Sequence, residues 1–299
     1  MRVRQARTDD HADVAAFTEG TWPDREAEDY IPDVFPEWVD TDGPDQHTAV
    51  VEVEGKGGGG IGGGRVVAVC QAKLLAGDEG WLQGIRVDPA HRGAGHGAAL
   101  VEYLFEWLRE RDARVARNLV FDWNPAGMGQ SRAVGFGVRA GCRFLCLEAA
   151  ERAVDVGVNH DPGRAWHCWS HSDARTALSG LALADGEPWA FTELTRERVK
   201  AASPLVLLDG GTRAATVRLD TRDPDHQEGR VADYAAAAWE PGAGGALFDA
   251  VRADAARAGA DEARVCAPAT PRHVASAGAA RAAFDQGGLV FEAELYRRS

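Results

Sequence analysis

Lysine is nearly missing from this 299-residue chain: only Lys56, Lys73 and Lys200 occur, and every other basic residue is arginine. With 46 acidic against 33 basic residues the net charge is −13. That balance excludes the clustered positive face that a nucleic-acid backbone demands. An acid-rich, lysine-poor, alanine-rich chain fits either a high-salt cytoplasm or a GC-rich genome. Cysteine is sparse as well. Cys70, Cys142, Cys146, Cys168 and Cys266 are odd in number and form no C-x-x-C pair, which argues against a disulfide framework and structural zinc. No stretch approaches the roughly twenty apolar residues of a membrane span. The opening Met-Arg-Val-Arg-Gln-Ala-Arg-Thr-Asp-Asp is too polar for a signal peptide. A protein of the reducing cytoplasm is expected, with no membrane and no nucleic acid as partner.

What is present is apolar enough for real cores: 45% of residues are hydrophobic. The length allows two domains. Strands are expected at 2–7, 48–54, 65–75, 81–87 and 118–123. Helices are expected at 12–19, behind the capping run Thr8-Asp9-Asp10, and at 98–111, where Leu100, Leu104, Phe105 and Leu108 share one face. The glycine run of residues 55–64 reads as a hairpin loop, because no helix start follows it. A short helix at 131–134 is closed by Gly135-Phe136. The aromatic group Trp22, Tyr30, Phe35 and Trp38 reads as core, with part of it available to line a substrate mouth.

The most informative segment is Ile85-Arg-Val-Asp-Pro-Ala-His-Arg-Gly-Ala-Gly-His-Gly-Ala98. A strand runs into a turn, an arginine and three glycines follow, and a helix begins. Glycines let backbone N–H groups converge on an anion, and the helix N-terminus adds a favourable dipole. The spacing is neither the dinucleotide fingerprint G-x-G-x-x-G nor a Walker loop. The run Arg92-x-x-Gly95-x-Gly97 after a strand ending in Val-x-Pro resembles the pyrophosphate loop of the GCN5-related N-acetyltransferases (GNAT).

That resemblance implies an α/β (α+β) fold with a mixed, mostly antiparallel sheet flanked by helices, and acetyl-CoA as co-substrate without a metal. It implies that Arg92, Gly93, Ala94, Gly95, His96, Gly97 and Ala98 hold the pyrophosphate. It assigns the pantetheine arm and acetyl oxygen to the backbone at Ile85 and Val87, and gives Asn124 a place on the arm. Asn124 also reads as the turn residue of Asn-Pro, and Arg92 as a surface arginine. Ser131 stands where the family commonly carries a tyrosine that acts on the leaving thiolate. Gln83 stands where many relatives carry a catalytic glutamate. Glutamine can hold a water but cannot take a proton, so Asp122, which also reads as a solvated charge, becomes the candidate base.

His91 and His96 read as loop and helix-start residues. His167 and His171 have flanks that alternate like a strand, which discounts zinc. The run from Asp29 to Trp38 bears a short likeness to the histidine N-acetyltransferase branch.

The second half echoes the first. A strand is expected at 230–238, then Glu240-Pro241-Gly242-Ala243-Gly244-Gly245, a helix at 246–258, a strand at 262–267, a helix at 273–284, and a strand at 290–295. This reads as tandem duplication, with a GNAT domain at 1–152 and a degenerate copy at 165–299. The turn formers at 158–163 mark the boundary. The copy has no cradle arginine; Glu240 would repel a phosphate and Pro241 removes a donor. Phe284 stands at the place of Ser131 and has no proton to give. The expected activity is acetyl transfer to a small-molecule amine, by a monomer or homodimer. The alternatives are a protein N-acetyltransferase and a non-catalytic acyl-CoA-binding regulatory protein.

Overall fold

The computed structural model describes residues 1–19, 21, 29–54, 64–75, 77–223 and 229–295. The chain divides into two compact units. One holds residues 1–118, 126–137 and the residues from Glu292 on; the other holds residues 119–125 and 138–291. The stretch 138–152 therefore packs with the second unit, and the end of the last strand packs with the first.

The first unit starts with β1 (Arg2–Gln5), α1 (His11–Thr18) and α2 (Ile31–Asp40). It continues through β2 (Gln46–Glu54), β3 (Gly64–Leu74), β4 (Glu79–Val87), α3 (His96–Arg109), β5 (Val115–Phe121) and α4 (Pro125–Ala133). The strands order β1-β2-β3-β4-β5. All neighbours are antiparallel except β4 and β5, which run parallel. Helix α3 forms where the 3.6-residue spacing expects it, and Leu100, Leu104 and Leu108 are fully buried. Helix α2 buries Ile31, Phe35 and Trp38 against Val14, Phe17, Val50, Val66 and Val69. The expected core role of Phe35 and Trp38 is met; Trp22 and residues 55–63 lie outside the described residues.

The second unit contains β6 (Gly137–Glu148), β7 (Gly157–Asn159), α5 (Pro162–Ser170), α6 (Asp173–Ala177), β8 (Leu181–Ala184), β9 (Glu187–Glu193) and α7 (Arg196–Ala201). Then come β10 (Ser203–Leu208), β11 (Thr212–Arg222), β12 (Val231–Trp239), α8 (Gly244–Arg257), β13 (Glu262–Pro268), α9 (Pro271–Ala279) and β14 (Ala283–Glu294). Its strands order β7-β10-β11-β12-β13-β6, again with one parallel pair, β12 with β13. Strands β8 and β9 form a separate hairpin. Every residue of β12, Val-Ala-Asp-Tyr-Ala-Ala-Ala-Ala-Trp, is buried. A strand covered on both faces needs no polar alternation.

Two expectations are corrected here. The helix expected at 273–284 stops at Ala279, and Phe284 lies in β14. Arg281, at φ 53°, turns the chain out of the helix. The segment around His167 and His171 is helical, because Asp161 caps it through the Arg164 N–H and Pro162 opens it. The two imidazole rings lie 4.4 Å apart, tilted by 39°. The turn formers at 158–163 end β7 and begin α5.

Each parallel pair is clamped by an arginine at the third residue of the later of its two strands. Arg117 on β5 pairs with Glu79 on β4 and, at 2.6 Å, with Glu292. Arg264 on β13 bonds Asp233 at 2.7 Å, and Arg222 binds the other oxygen of that carboxylate at 2.7 Å. The clamps are buried, so removing one partner strands a charge.

A second device shapes β4. Pairs Val69 with Arg86 and Gln71 with Gln83 leave Gly84 and Ile85 opposite Cys70 alone, which is a β-bulge. Gly84 sits at φ +65°, and a Cβ there would come within 2.4 Å of the Trp38 ring. Gly84→Ala therefore combines left-handed strain with overpacking. It should lower unfolding free energy by about 2–4 kcal/mol in a urea titration; parent-like stability would contradict the bulge account.

Candidate functional site

The ladder between β4 and β5 has only three pairs: Glu79 with Val115, Gly80 with Ala116, and Trp81 with Arg117. Beyond them β4 continues for six residues, to Val87, without facing β5. Backbone groups at Gln83, Ile85 and Val87 are thereby released from the parallel ladder.

Eight residues, 88–95, then connect β4 to α3. Asp88 fixes the start of this loop. Its N–H donates to the Val67 carbonyl at 2.8 Å. Its carboxylate accepts from the Ala90 N–H at 2.9 Å and meets His91 Nδ1 at 3.1 Å and Arg65 at 3.2 Å. Arg92 is exposed and its Nε donates to the Val87 carbonyl at 3.3 Å. Gly93 and Gly95 stand at φ +78° and +83°, with nothing within 4 Å of where a Cβ would lie. Gly95 caps α3 without a side chain, and the first turn, His96-Gly97-Ala98, holds no acid. The N–H groups of that turn have no partner within the helix. An arginine, two left-handed glycines, an exposed alanine and a bare helix start compose an anion cradle.

Helix α4 closes one side. Ser131 is 6% exposed, and its Oγ accepts from Asn118 Nδ2 at 3.2 Å. Next to it, Gln130 lays its amide against Gly97: Nε2 would be 2.5 Å from a Cβ there, and Val87 Cγ2 is 3.7 Å from the same point. Two buried atoms in this region have no hydrogen-bond partner, Asn118 Oδ1 and Gln130 Nε2. Sequence reading missed both residues. The available signal was a glutamine beside Ser131 on a short helix packed against a glycine.

Gln83 is already engaged. Its Nε2 donates to Gln71 Oε1 at 2.8 Å, and its Oε1 accepts from the Trp81 indole at 3.1 Å. Gln71 donates onward to Thr48 Oγ1 at 3.2 Å. Asp122 and Asn124 belong to the second unit. Asp122 meets Arg143 at 3.2 Å and its N–H donates to the Gly287 carbonyl at 2.9 Å. The Asn124 N–H donates to Phe121 O at 3.0 Å, a turn bond. His91 bonds Asp88, and His96 Nδ1 lies 3.1 Å from Met1 Sδ. Among the described residues no group of three His, Cys, Asp or Glu is placed to hold a metal ion.

The second unit repeats the plan with its opening filled. The β12–β13 ladder covers four pairs, 231–234 with 262–265. Only four residues, 240–243, then reach α8. Glu240 is bound by Arg213 at 2.7 Å. Trp239 is buried, its indole donating to Ser276 Oγ at 3.0 Å and its ring edge-on to His273 at 4.7 Å. Burial and Arg272 push the His273 pKa down to about 4, so it is neutral near pH 7. Helices α4 and α9 each have nine residues and open on proline. Ser131 and Ala277 occupy the same step and accept equivalent bonds, from Phe136 N–H at 3.0 Å and Ala282 N–H at 3.1 Å. The counterpart of Ser131 is therefore Ala277, not Phe284, and it too has no proton to give.

Residues 11–136 match the model of the acetyltransferase (GNAT) family. Over that stretch the chain is similar to the GNAT acetyltransferases. The match is to the family as a whole rather than to its histidine branch. No curated protein matches the sequence. Solved structures show the fold over the full length. A GCN5-related N-acetyltransferase from Sphaerobacter thermophilus is 13% identical with a TM-score of 0.59, covering 100% of this chain and 96% of that one. An acetyltransferase structure from Thermoplasma acidophilum is 16% identical at TM-score 0.55, covering 100% of both chains. A tandem GNAT protein from the clavulanic acid pathway is 13% identical at 0.53, covering 100% and 99%. The GNAT fold thus occurs twice, each copy a mostly antiparallel sheet flanked by helices.

None of the chain's thiols is poised for covalent chemistry. Burial pushes Cys70, Cys142 and Cys146 up to about 12 and Cys168 to about 11, and raises Cys266 well above the ordinary thiol range. Thiolate is therefore scarce at pH 8 and increases only as pH rises toward those values. A thiol reagent should titrate less than one fast equivalent in native protein at pH 8 and all five cysteines after unfolding. Several fast equivalents in the native state would contradict this packing.

Proposed function

We propose that the protein is an acetyl-CoA-dependent N-acetyltransferase acting on the amine of a small molecule, with the co-substrate held by the first half of the chain alone. The observation that carries this is the three-pair β4–β5 ladder opening onto an eight-residue glycine loop and an acid-free helix start. The cradle fits a pyrophosphate because Gly93 and Gly95 leave open space and Arg92 adds charge. Acetyl-CoA supplies an activated thioester, with its thiol as leaving group.

The chain's residues divide the remaining work. The N–H groups from Arg92 to Ala98 bind the pyrophosphate. Backbone groups of Ile85 and Val87, free of the ladder, hold the arm and polarise the carbonyl. Asn124 is assigned to the arm. Ser131 receives its hydrogen bond from Asn118, which leaves its own O–H to donate to the sulfur. A serine is a weaker acid than a phenol, so its contribution is modest. Asp122, or a water held by Gln83, takes the proton of the amine. A second reading, an acyl-CoA-binding protein without turnover, is favoured by one observation: both ends of the Gln83 amide are occupied by Trp81 and Gln71. Incubation with acetyl-CoA, a thiol reporter and a panel of amines separates the two.

Calorimetry with acetyl-CoA should give one site per chain. Arg92→Glu should weaken it by roughly tenfold or more, since a carboxylate then faces pyrophosphate. Glu240→Ala should leave it unchanged. Two equal sites per chain would refute binding by the first half alone.

In turnover assays Ser131→Ala should lower kcat by less than about a hundredfold, the low end of an acid–base contribution. Asp122→Asn should lower kcat with acetyl-CoA affinity intact, and rate should return as pH rises toward the pKa of the amine. A pH–rate profile of Asp122→Asn matching the parent would exclude Asp122 as the base.

A further inference from the structure

Gln130 sits where helix α4 meets the first turn of α3. Its Nε2 is buried without a partner and lies against Gly97, with the Val87 side chain beside the same point. A buried amide donor left unmade costs free energy, so its retention calls for a compensating acceptor. The second unit shows what this position is like when the protein itself fills it. Ser276 precedes Ala277 as Gln130 precedes Ser131, and its Oγ would lie 2.6 Å from a Cβ at Gly244, the first residue of α8. There Trp239 donates its indole N–H to Ser276. In the first unit Val87 ends the strand in place of Trp239 and its side chain has no hydrogen to donate, and Asp88 after it turns its carboxylate to Ala90, His91 and Arg65. No side chain reaches Gln130 Nε2.

We propose that Gln130 completes the anion cradle: its Nε2–H donates to a phosphate oxygen of the acyl-CoA pyrophosphate. This rests on the acyl-CoA reading above. It adds a side-chain donor from α4 to the backbone donors of the loop, in a place where the second unit closes the corresponding space with an indole. The same proximity explains Gly97, because any Cβ there would displace the amide.

The alternative role for Gln130 is purely structural: its amide oxygen, turned inward, would cap the free N–H groups of α3. The two roles give opposite readouts. Gln130→Met keeps length and volume and removes both donor and acceptor. Calorimetry with CoA should show affinity lowered roughly tenfold or more, the scale of a hydrogen bond to a charged group. The unfolding temperature without ligand should be unchanged or higher, because an unpartnered buried donor is gone. Gln130→Glu should lose more affinity than Gln130→Met, and added salt should shrink that extra loss. Unchanged CoA affinity in Gln130→Met, with or without a lower unfolding temperature, would overturn the proposal. If the parent binds no CoA at all, the acyl-CoA reading fails, and this proposal with it. A parent that binds beside a variant that binds equally fails this proposal alone.

Discussion

Three ladder pairs hold β4 to β5, and everything proposed for the site depends on the ladder stopping there. The Arg117 clamp with Glu79 and Glu292 fixes the closed end. The bulge at Gly84 and Ile85 bends the strand beyond it. Neither device suffices alone. Without the clamp the parallel pair has little to set its register; without the bulge β4 would follow β5 and pair its backbone. A sheet that opens leaves peptide groups needing partners. Under the function proposed above, an acyl-CoA arm supplies them.

The two units show how little separates a ligand-ready opening from a filled one. Both keep the parallel pair, the arginine clamp, the long helix and the short nine-residue helix that starts on proline. The second shortens the loop from eight residues to four and puts Trp239 at the strand end. The indole then occupies Ser276, and neutral His273 packs against its ring. A shorter loop has fewer N–H groups to offer, and Glu240 adds negative charge where an anion would have to sit. The duplicated unit keeps its core, whose alanine-rich β12 is buried along its whole length.

Much of this was legible in the residues. The cradle announced itself because glycine spacing, an arginine and a helix start are local features. Helix α3 followed from Leu100, Leu104 and Leu108. What failed was non-local or ambiguous. Alternating aromatic and polar flanks made His167 look like a strand residue, although Asp161 and Pro162 carried a helix-start signal. Phe284 looked helical because the alanines before it continue a helical pattern; the left-handed Arg281 breaks it, and nothing in an arginine signals that conformation. Helix α2 went unread because Pro32 and Pro36 interrupt the usual helix composition. Gln130 and Asn118 could not be recognised, since a lone amide carries meaning only once its burial and lack of a partner are known.

Hydrogen exchange with and without CoA tests the central claim most directly, since it reads the backbone donors one segment at a time. Binding should slow exchange across residues 83–98 and leave residues 239–245 unchanged. Equal protection of both segments, or protection of 239–245 alone, would contradict an opening that serves the co-substrate in the first unit only.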